Sequence, residues 1–177
     1  MTAHPLSRIV RRDNVPADGL ELVIEADPQE RETLARLFDI PAVQSLEGTF
    51  HVAPWRSRGL KVQGHVEARV EQTCVVTLDP VENTVSEDVE VYFAAEGAAA
   101  RAPQADAAVE AERDIEELVG DQIDIGALAA EHVALGLDPY PRKPGVEFAP
   151  GEFDDGEEEE KGPFAALSAL KGAREGE

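Results

Sequence analysis

Cysteine is almost missing from this chain: Cys74 is the only one in 177 residues. That excludes an internal disulfide and any zinc site built from several thiolates. Basic residues are also scarce. Sixteen Lys and Arg stand against 37 Asp and Glu, for a formal net charge of −21. A broad groove for nucleic-acid phosphates needs clustered Lys and Arg, so this balance argues against one. A local basic patch stays open, and an acidic surface attracts basic proteins. No apolar run approaches the roughly 20 residues of a membrane span. Met1 to Pro16 lacks the apolar core of a signal peptide, so a soluble, cytoplasmic protein with no membrane partner is expected. Gly97 and Gly120 lack the strand–glycine–helix context of a phosphate loop. The length admits one domain of ordinary size with a tail.

The acidity is uneven. Glu96 to Asp124 holds nine acids and two bases, and Glu147 to Glu177 holds ten acids and three bases. The first stretch opens with alanines and few bulky apolar residues, too little to offset its ordering entropy. It reads as a mobile Ala/Glu-rich loop over about 96–113, with a solvated helix from about Asp106 as the alternative. The second contains Asp154-Asp155-Gly156-Glu157-Glu158-Glu159-Glu160, a self-repelling run expected to stay extended. The organisation expected is therefore a single domain over 1–146, an acidic spacer over 147–161 and a short apolar helix over 162–172.

Within the domain, Leu20, Leu22 and Ile24 alternate with Glu21 and Glu25, the pattern of a half-buried strand. Asp27-Pro28 with Glu30 carries the spacing of a capping box and starts a helix. Leu34, Leu37 and Phe38 form its expected stripe, and Pro41 ends it. Leu46, Phe50 and Val52 share one parity. The strongest alternation runs from Leu60 to Cys74, with valines on one face and Lys61, Gln63, His65, Glu67, Arg69 and Glu71 on the other. It predicts a long antiparallel strand with one wet face. Asp79-Pro80 turns the chain after Val75, Val76 and Leu78, and Val85, Val89, Val91 and Phe93 mark a further strand. Asp124 is placed to cap a helix ending near Gly136. Successive strands with separate helices predict an α+β fold with a mainly antiparallel sheet, open to closure as a half-open barrel, and two or three helices.

Chemistry-bearing residues are few. Cys74 has the parity of the apolar face and reads as a core thiol. His4, His51, His65 and His132 show no metal-ligand spacing. Carboxylates are too numerous to single out a catalytic pair. No catalytic, cofactor-binding or metal-ligating residue emerges. Basic residues gather at Arg8, Arg11 and Arg12; at Trp55, Arg56, Arg58 and Lys61 around an expected hairpin; and at Arg142 and Lys143 beside Tyr140. An aromatic among arginines can stack on RNA, although a lone Trp at a strand end is more often core. Trp55, Arg56, Arg58, Tyr140, Arg142 and Lys143 are the candidate contacts to RNA or a partner. Phe164, Leu167 and Leu170 form a stripe between Pro163 and Gly172. A helix this short is marginal alone and needs a surface, either a partner's groove or its own domain.

Three segments occur together in order: Gln72-Thr73-Cys74-Val75-Val76-Thr77-Leu78-Asp79-Pro80-Val81, Ile123-Asp124-Ile125-Gly126, and Leu135-Gly136-Leu137-Asp138-Pro139-Tyr140-Pro141-Arg142. With Pro163 to Lys171 they resemble the YceD family, the large ribosomal RNA subunit accumulation proteins. The Asp-Pro-Tyr-Pro-Arg form resembles its alphaproteobacterial branch. The resemblance implies a part in the synthesis, processing or stability of large-subunit ribosomal RNA, and in this family the gene often sits beside that of a small, basic large-subunit ribosomal protein. Some relatives carry a second cysteine three positions after the first, with Cys or His near the later Pro-rich stretch. Here those places hold Thr77, Tyr140, Arg142 and Lys143. The leading expectation is a non-enzymatic assembly factor without a cofactor. It acts either by holding a basic ribosomal protein or by touching RNA itself. A metal-dependent RNA-processing enzyme and an acidic adaptor working through the C-terminal helix are the alternatives.

Overall fold

The computed structural model describes residues 4–56, 58–95 and 115–146, all within one compact unit, Met1–Val146. The expected loop over 96–113, the acidic spacer and the helix of Phe164, Leu167 and Leu170 lie outside the described residues.

The chain runs β1 (Ile9–Arg11), β2 (Leu20–Glu25), α1 (Pro28–Phe38), β3 (Ala42–Trp55), β4 (Gly59–Thr73), β5 (Pro80–Ala95), β6 (Ile115–Leu118), β7 (Gln122–Asp124) and α2 (Ile125–Leu135). Strands β2 to β5 form an antiparallel meander, and β6 joins β5 in parallel, with Tyr92 opposite Ile115. The five-stranded sheet is ordered β2-β3-β4-β5-β6 and stays open, with β2 and β6 at its edges, so it is not a closed barrel. Strands β1 and β7 make a separate antiparallel ribbon. The fold is α+β and dominated by sheet.

The alternation read from the sequence decides which face is buried. Leu60, Val62, Val66, Ala68 and Val70 of β4 are fully buried, while Lys61, Gln63, His65, Glu67 and Arg69 face outward. On this inner face the Phe50 ring lies over Gly48 and Gly64. A Cβ on Gly64 would stand 2.4 Å from Thr49 O and 2.5 Å from Phe50 Cδ1. The two glycines thus clear the space that the fully buried Phe50 ring fills. Helix α2 packs on β4 and β5, contributing Ile125, Leu128, Ala129 and Val133 to the core.

Helix α1 starts as its sequence predicts: Glu30 N donates to Asp27 Oδ1 at 2.8 Å and Asp27 N to Glu30 Oε2 at 2.9 Å. Its stripe differs from expectation by one residue. Leu34 and Ala35 are buried, but Leu37 is exposed. The face toward the core is centred between 34, 35 and 38, which a small alanine satisfies and a sequence reading overlooks. The helix stops at Asp39, in the left-handed region (φ 55°), before Pro41 is reached. Val75 and Leu78 also depart from the strand pattern. Strand β4 ends at Thr73, and both residues sit exposed in the following loop.

Candidate partner and RNA interface

The six candidate contacts fall into two groups at opposite ends of β4. Fifteen residues of strand put those ends about 45 Å apart, so the two groups do not form one site.

At the first end, β3 and β4 are joined through Arg56, held in the left-handed region (φ 55°). Gly59 lets the strands close: a Cβ there would lie 2.4 Å from Phe93 O. Trp55 is half-buried, with its ring centroid 5.0 Å from that of Tyr92. The Arg56 guanidinium lies 4.4 Å over the Trp55 ring, and Lys61 Nζ is 5.1 Å from the Tyr92 centroid. A nucleobase stacking on Trp55 would therefore compete with Arg56 for that face. Lys61 also pairs with Glu90 at 3.4 Å. The Glu90 carboxyl is held below its usual range, first by the Tyr92 hydroxyl and then by Gln63 and Lys61. Arg58 reaches Asp121 at 3.5 Å, and Arg12 reaches the same carboxylate at 3.3 Å. Much of the basic charge here is already matched by acids.

At the second end, two loops meet on Cys74. Its fully buried sulfur accepts from the Thr77 amide at 3.4 Å and the Lys143 amide at 3.5 Å. Val75 N donates to Pro141 O at 2.9 Å, which ties the loops together. The thiol is lowered to about 6, chiefly by the Thr77 hydroxyl and then by the Lys143, Thr77 and Val76 amides, against burial. Lys143 Nζ pairs with Asp79 Oδ2 at 3.1 Å and, with Thr77, keeps that carboxyl low. Positions 77 and 143 do converge on Cys74. They bring a hydroxyl, amides and an ammonium, and neither thiolate nor imidazole, so this donor set does not fit a metal ion. Tyr140 and Arg142 are exposed, and Arg142 has no ion-pair partner among the described residues.

Sequence reasoning placed the wet face of β4 but did not see what the register makes of it. Outward positions of β2 to β5 carry Glu21, Glu25, Glu47, Glu67, Glu71, Glu82, Asp88 and Glu90, against Lys61 and Arg69. Glu25 stands directly opposite Glu47, and Glu47 opposite Glu67, in three adjacent strands. Glu71 faces Glu82 in the same way. Like charges in directly opposite positions destabilise a sheet, and none of Glu25, Glu47 or Glu67 has an ion-pair partner among the described residues. Beside this row lies a hollow of about 210 Å³, lined by Val23, Glu47, Gly48, Thr49, His65 and Glu67. His65 bridges Asp88 and Ser86 at 2.8 and 3.2 Å. The pairing register needed to see the row is a tertiary fact. Only the abundance of glutamate at one parity hinted at it.

Among the described residues, no helix is long and apolar enough to cross a membrane. A family model described as large ribosomal RNA subunit accumulation protein YceD matches residues 62–171. No curated protein and no solved structure gives a significant match.

Proposed function

The chain belongs to the YceD family of large ribosomal RNA subunit accumulation proteins, matched over more than half its length, and from that premise we propose that it is a non-enzymatic ribosome-biogenesis factor. It supports large-subunit ribosomal RNA by keeping a basic large-subunit ribosomal protein bound and soluble until RNA receives it. The observation that carries the mechanism is the acidic face of the sheet, where the opposed Glu25, Glu47 and Glu67 have no ion-pair partner among the described residues, on a chain of net charge −21. Such a field attracts a basic protein and repels RNA phosphates. The family description names accumulation of an RNA and no catalysed reaction, which supports a role without catalysis.

Two measurements test this. Depleting the protein should lower the ratio of large- to small-subunit ribosomal RNA, and an unchanged ratio with normal precursor ends overturns the reading. The pure protein should bind basic large-subunit ribosomal proteins in a complex that weakens steeply with salt, and should not retain RNA. A second reading rests on Arg56 stacked over Trp55 at the exposed hairpin and on the exposed Arg142. In it these residues and Arg58, Tyr140 and Lys143 touch RNA directly. RNA binding by the pure protein, lost in Arg56→Ala/Arg58→Ala, would favour that reading over the first.

A further inference from the structure

The edge of the sheet nearest the acidic row is built to take another strand. Ala26 N donates to Leu46 O at 3.0 Å, continuing the register in which Leu20, Leu22 and Ile24 face β3. Main-chain groups alternate in direction along a strand, so those of Glu21, Val23 and Glu25 point away from β3. The Glu25 carbonyl confirms the direction: its contact is the Arg8 guanidinium at 3.4 Å, from outside the sheet. Among the described residues no strand pairs with this side of β2. Val23, in the middle, is 80% exposed.

We infer that the open edge of β2, at Glu21 and Val23, binds an extended lysine- or arginine-rich protein segment by strand addition, with its basic side chains over Glu21 and Glu25 and reaching toward Glu47. This rests on the reading above that the partner is a basic protein, and it names where and in what conformation that partner binds. The geometry also specifies a pattern. Side chains opposite Glu21, Val23 and Glu25 fall on the wet face, where cations meet carboxylates. Those between them fall on the inner face, against Leu20 and Leu22, which are only partly buried. The segment recognised alternates basic and apolar residues.

Charge selects this occupant over two others. In a second copy paired antiparallel about Val23, Glu21 of one chain would oppose Glu25 of the other, and such repulsion is how edge strands avoid self-association. The chain's own segment from Glu147 to Glu177 carries ten acids and three bases and would be repelled by the same face.

The test uses the full chain and a short blocked peptide of alternating lysine and valine, with an alternating glutamate–valine peptide as control. The lysine peptide should bind, weaken with salt and slow amide exchange at Glu21 and Val23. Val23→Pro removes an outward amide and leaves the β2–β3 ladder intact, because proline is tolerated on a free edge. It should weaken peptide binding about tenfold, the loss of roughly one to two hydrogen bonds, with an unchanged melting temperature. Glu25→Gln/Glu47→Gln, which alters no backbone, should weaken binding and flatten its salt dependence. Equal binding by wild type and both variants, or exchange protection elsewhere on the molecule, overturns the assignment. If Val23→Pro still binds intact basic ribosomal proteins like wild type, the edge is wrong while the escort reading stands. If the wild type binds none of them, the escort reading itself fails.

Discussion

Asp124→Ala should be the most damaging single change to a polar side chain in this domain. The residue ends β7 and caps α2, so one carboxylate serves two elements. Its Oδ1 accepts from Gly126 N at 3.1 Å, Ala127 N at 3.2 Å and Arg8 N at 2.7 Å, and its Oδ2 accepts from Ser7 Oγ at 2.6 Å. A lost helix cap costs about 1 kcal/mol. Hydrogen bonds to a charged group are each worth roughly 1.5–3 kcal/mol, less where water reaches them. With Asp124 only half-buried, a total of about 3 kcal/mol is expected, or roughly 10 °C in Tm. Asp124→Asn keeps an acceptor and a good cap, and should lose about half as much. Burial pushes the Asp124 carboxyl up, but the bonds from Ser7, Arg8, Ala127 and Gly126 together outweigh it and hold the group below its ordinary range. The unfolded carboxyl titrates near about 3.9. Its stabilisation is therefore complete above that value and disappears as pH falls through the lower folded value. Urea denaturation of wild type and both variants, repeated from neutral to acid pH, measures this. A loss below about 1 kcal/mol in Asp124→Ala at neutral pH, or a gap that does not close in acid, would refute the account.

Arg8 and Glu30 form a bidentate pair at 2.7 and 3.1 Å. Arg8's hydrogen bond is the main cause of the lowered Glu30 carboxyl, partly opposed by burial. Because Glu30 also closes the capping box, Glu30→Ala should cost about 1–2 kcal/mol and Arg8→Ala about half that, with equal losses in denaturation counting against the double role. Cys74 should titrate by its thiolate ultraviolet absorbance with a midpoint near about 6. Its stabilising effect is full above the unfolded value of about 8.5 and lost as pH falls toward 6. Cys74→Ala should remove that dependence, and a midpoint near about 8.5 would contradict the sulfur's hydrogen bonds. Gly64→Ala should destabilise by about 1–3 kcal/mol, since the added methyl meets Thr49 O and the Phe50 ring, and an unchanged urea midpoint would show that this part of the core yields.

Local signals were readable where one residue's chemistry decides the outcome. Asp27-Pro28 with Glu30 started α1, Asp124 started α2, and the parity from Leu60 to Cys74 named the buried face of β4. What escaped the sequence was set by partners distant along the chain. Three-residue β1 and β7 have too little pattern to read, and exist because each pairs with the other across more than a hundred residues. Ala35 displaces Leu37 from the buried stripe because the sheet fixes the helix's rotation. Of the candidate contacts, Trp55, Arg56 and Arg58 are indeed neighbours around one hairpin. The matching of Trp55 by Tyr92, of Arg58 by Asp121 and of the neighbouring Lys61 by Glu90 depends on β5 and on the segment before β7, which spacing alone does not bring near. The Cys74 pocket was half legible: the motif order pointed to the two loops, but only their contact shows Lys143 donating to the sulfur.

The acidic row bears on function because folding has no use for it. Opposed glutamates cost stability in an antiparallel pair, where an alternation of Lys and Glu at the same positions would add to it. This chain places Glu25, Glu47 and Glu67 in line across three strands and Glu71 against Glu82, and puts none of its bases directly opposite these glutamates. Solubility does not require that arrangement, since the acidic stretch beyond Glu147 already carries abundant charge. Nor does edge protection, because Glu21 and Glu25 suffice on β2 and Glu67 lies two strands away. A repulsion that runs inward from an open edge is relieved by one kind of visitor, a cationic chain lying along that edge. Under the proposed escort role, the sheet's least favourable feature in isolation is the source of affinity for a basic partner.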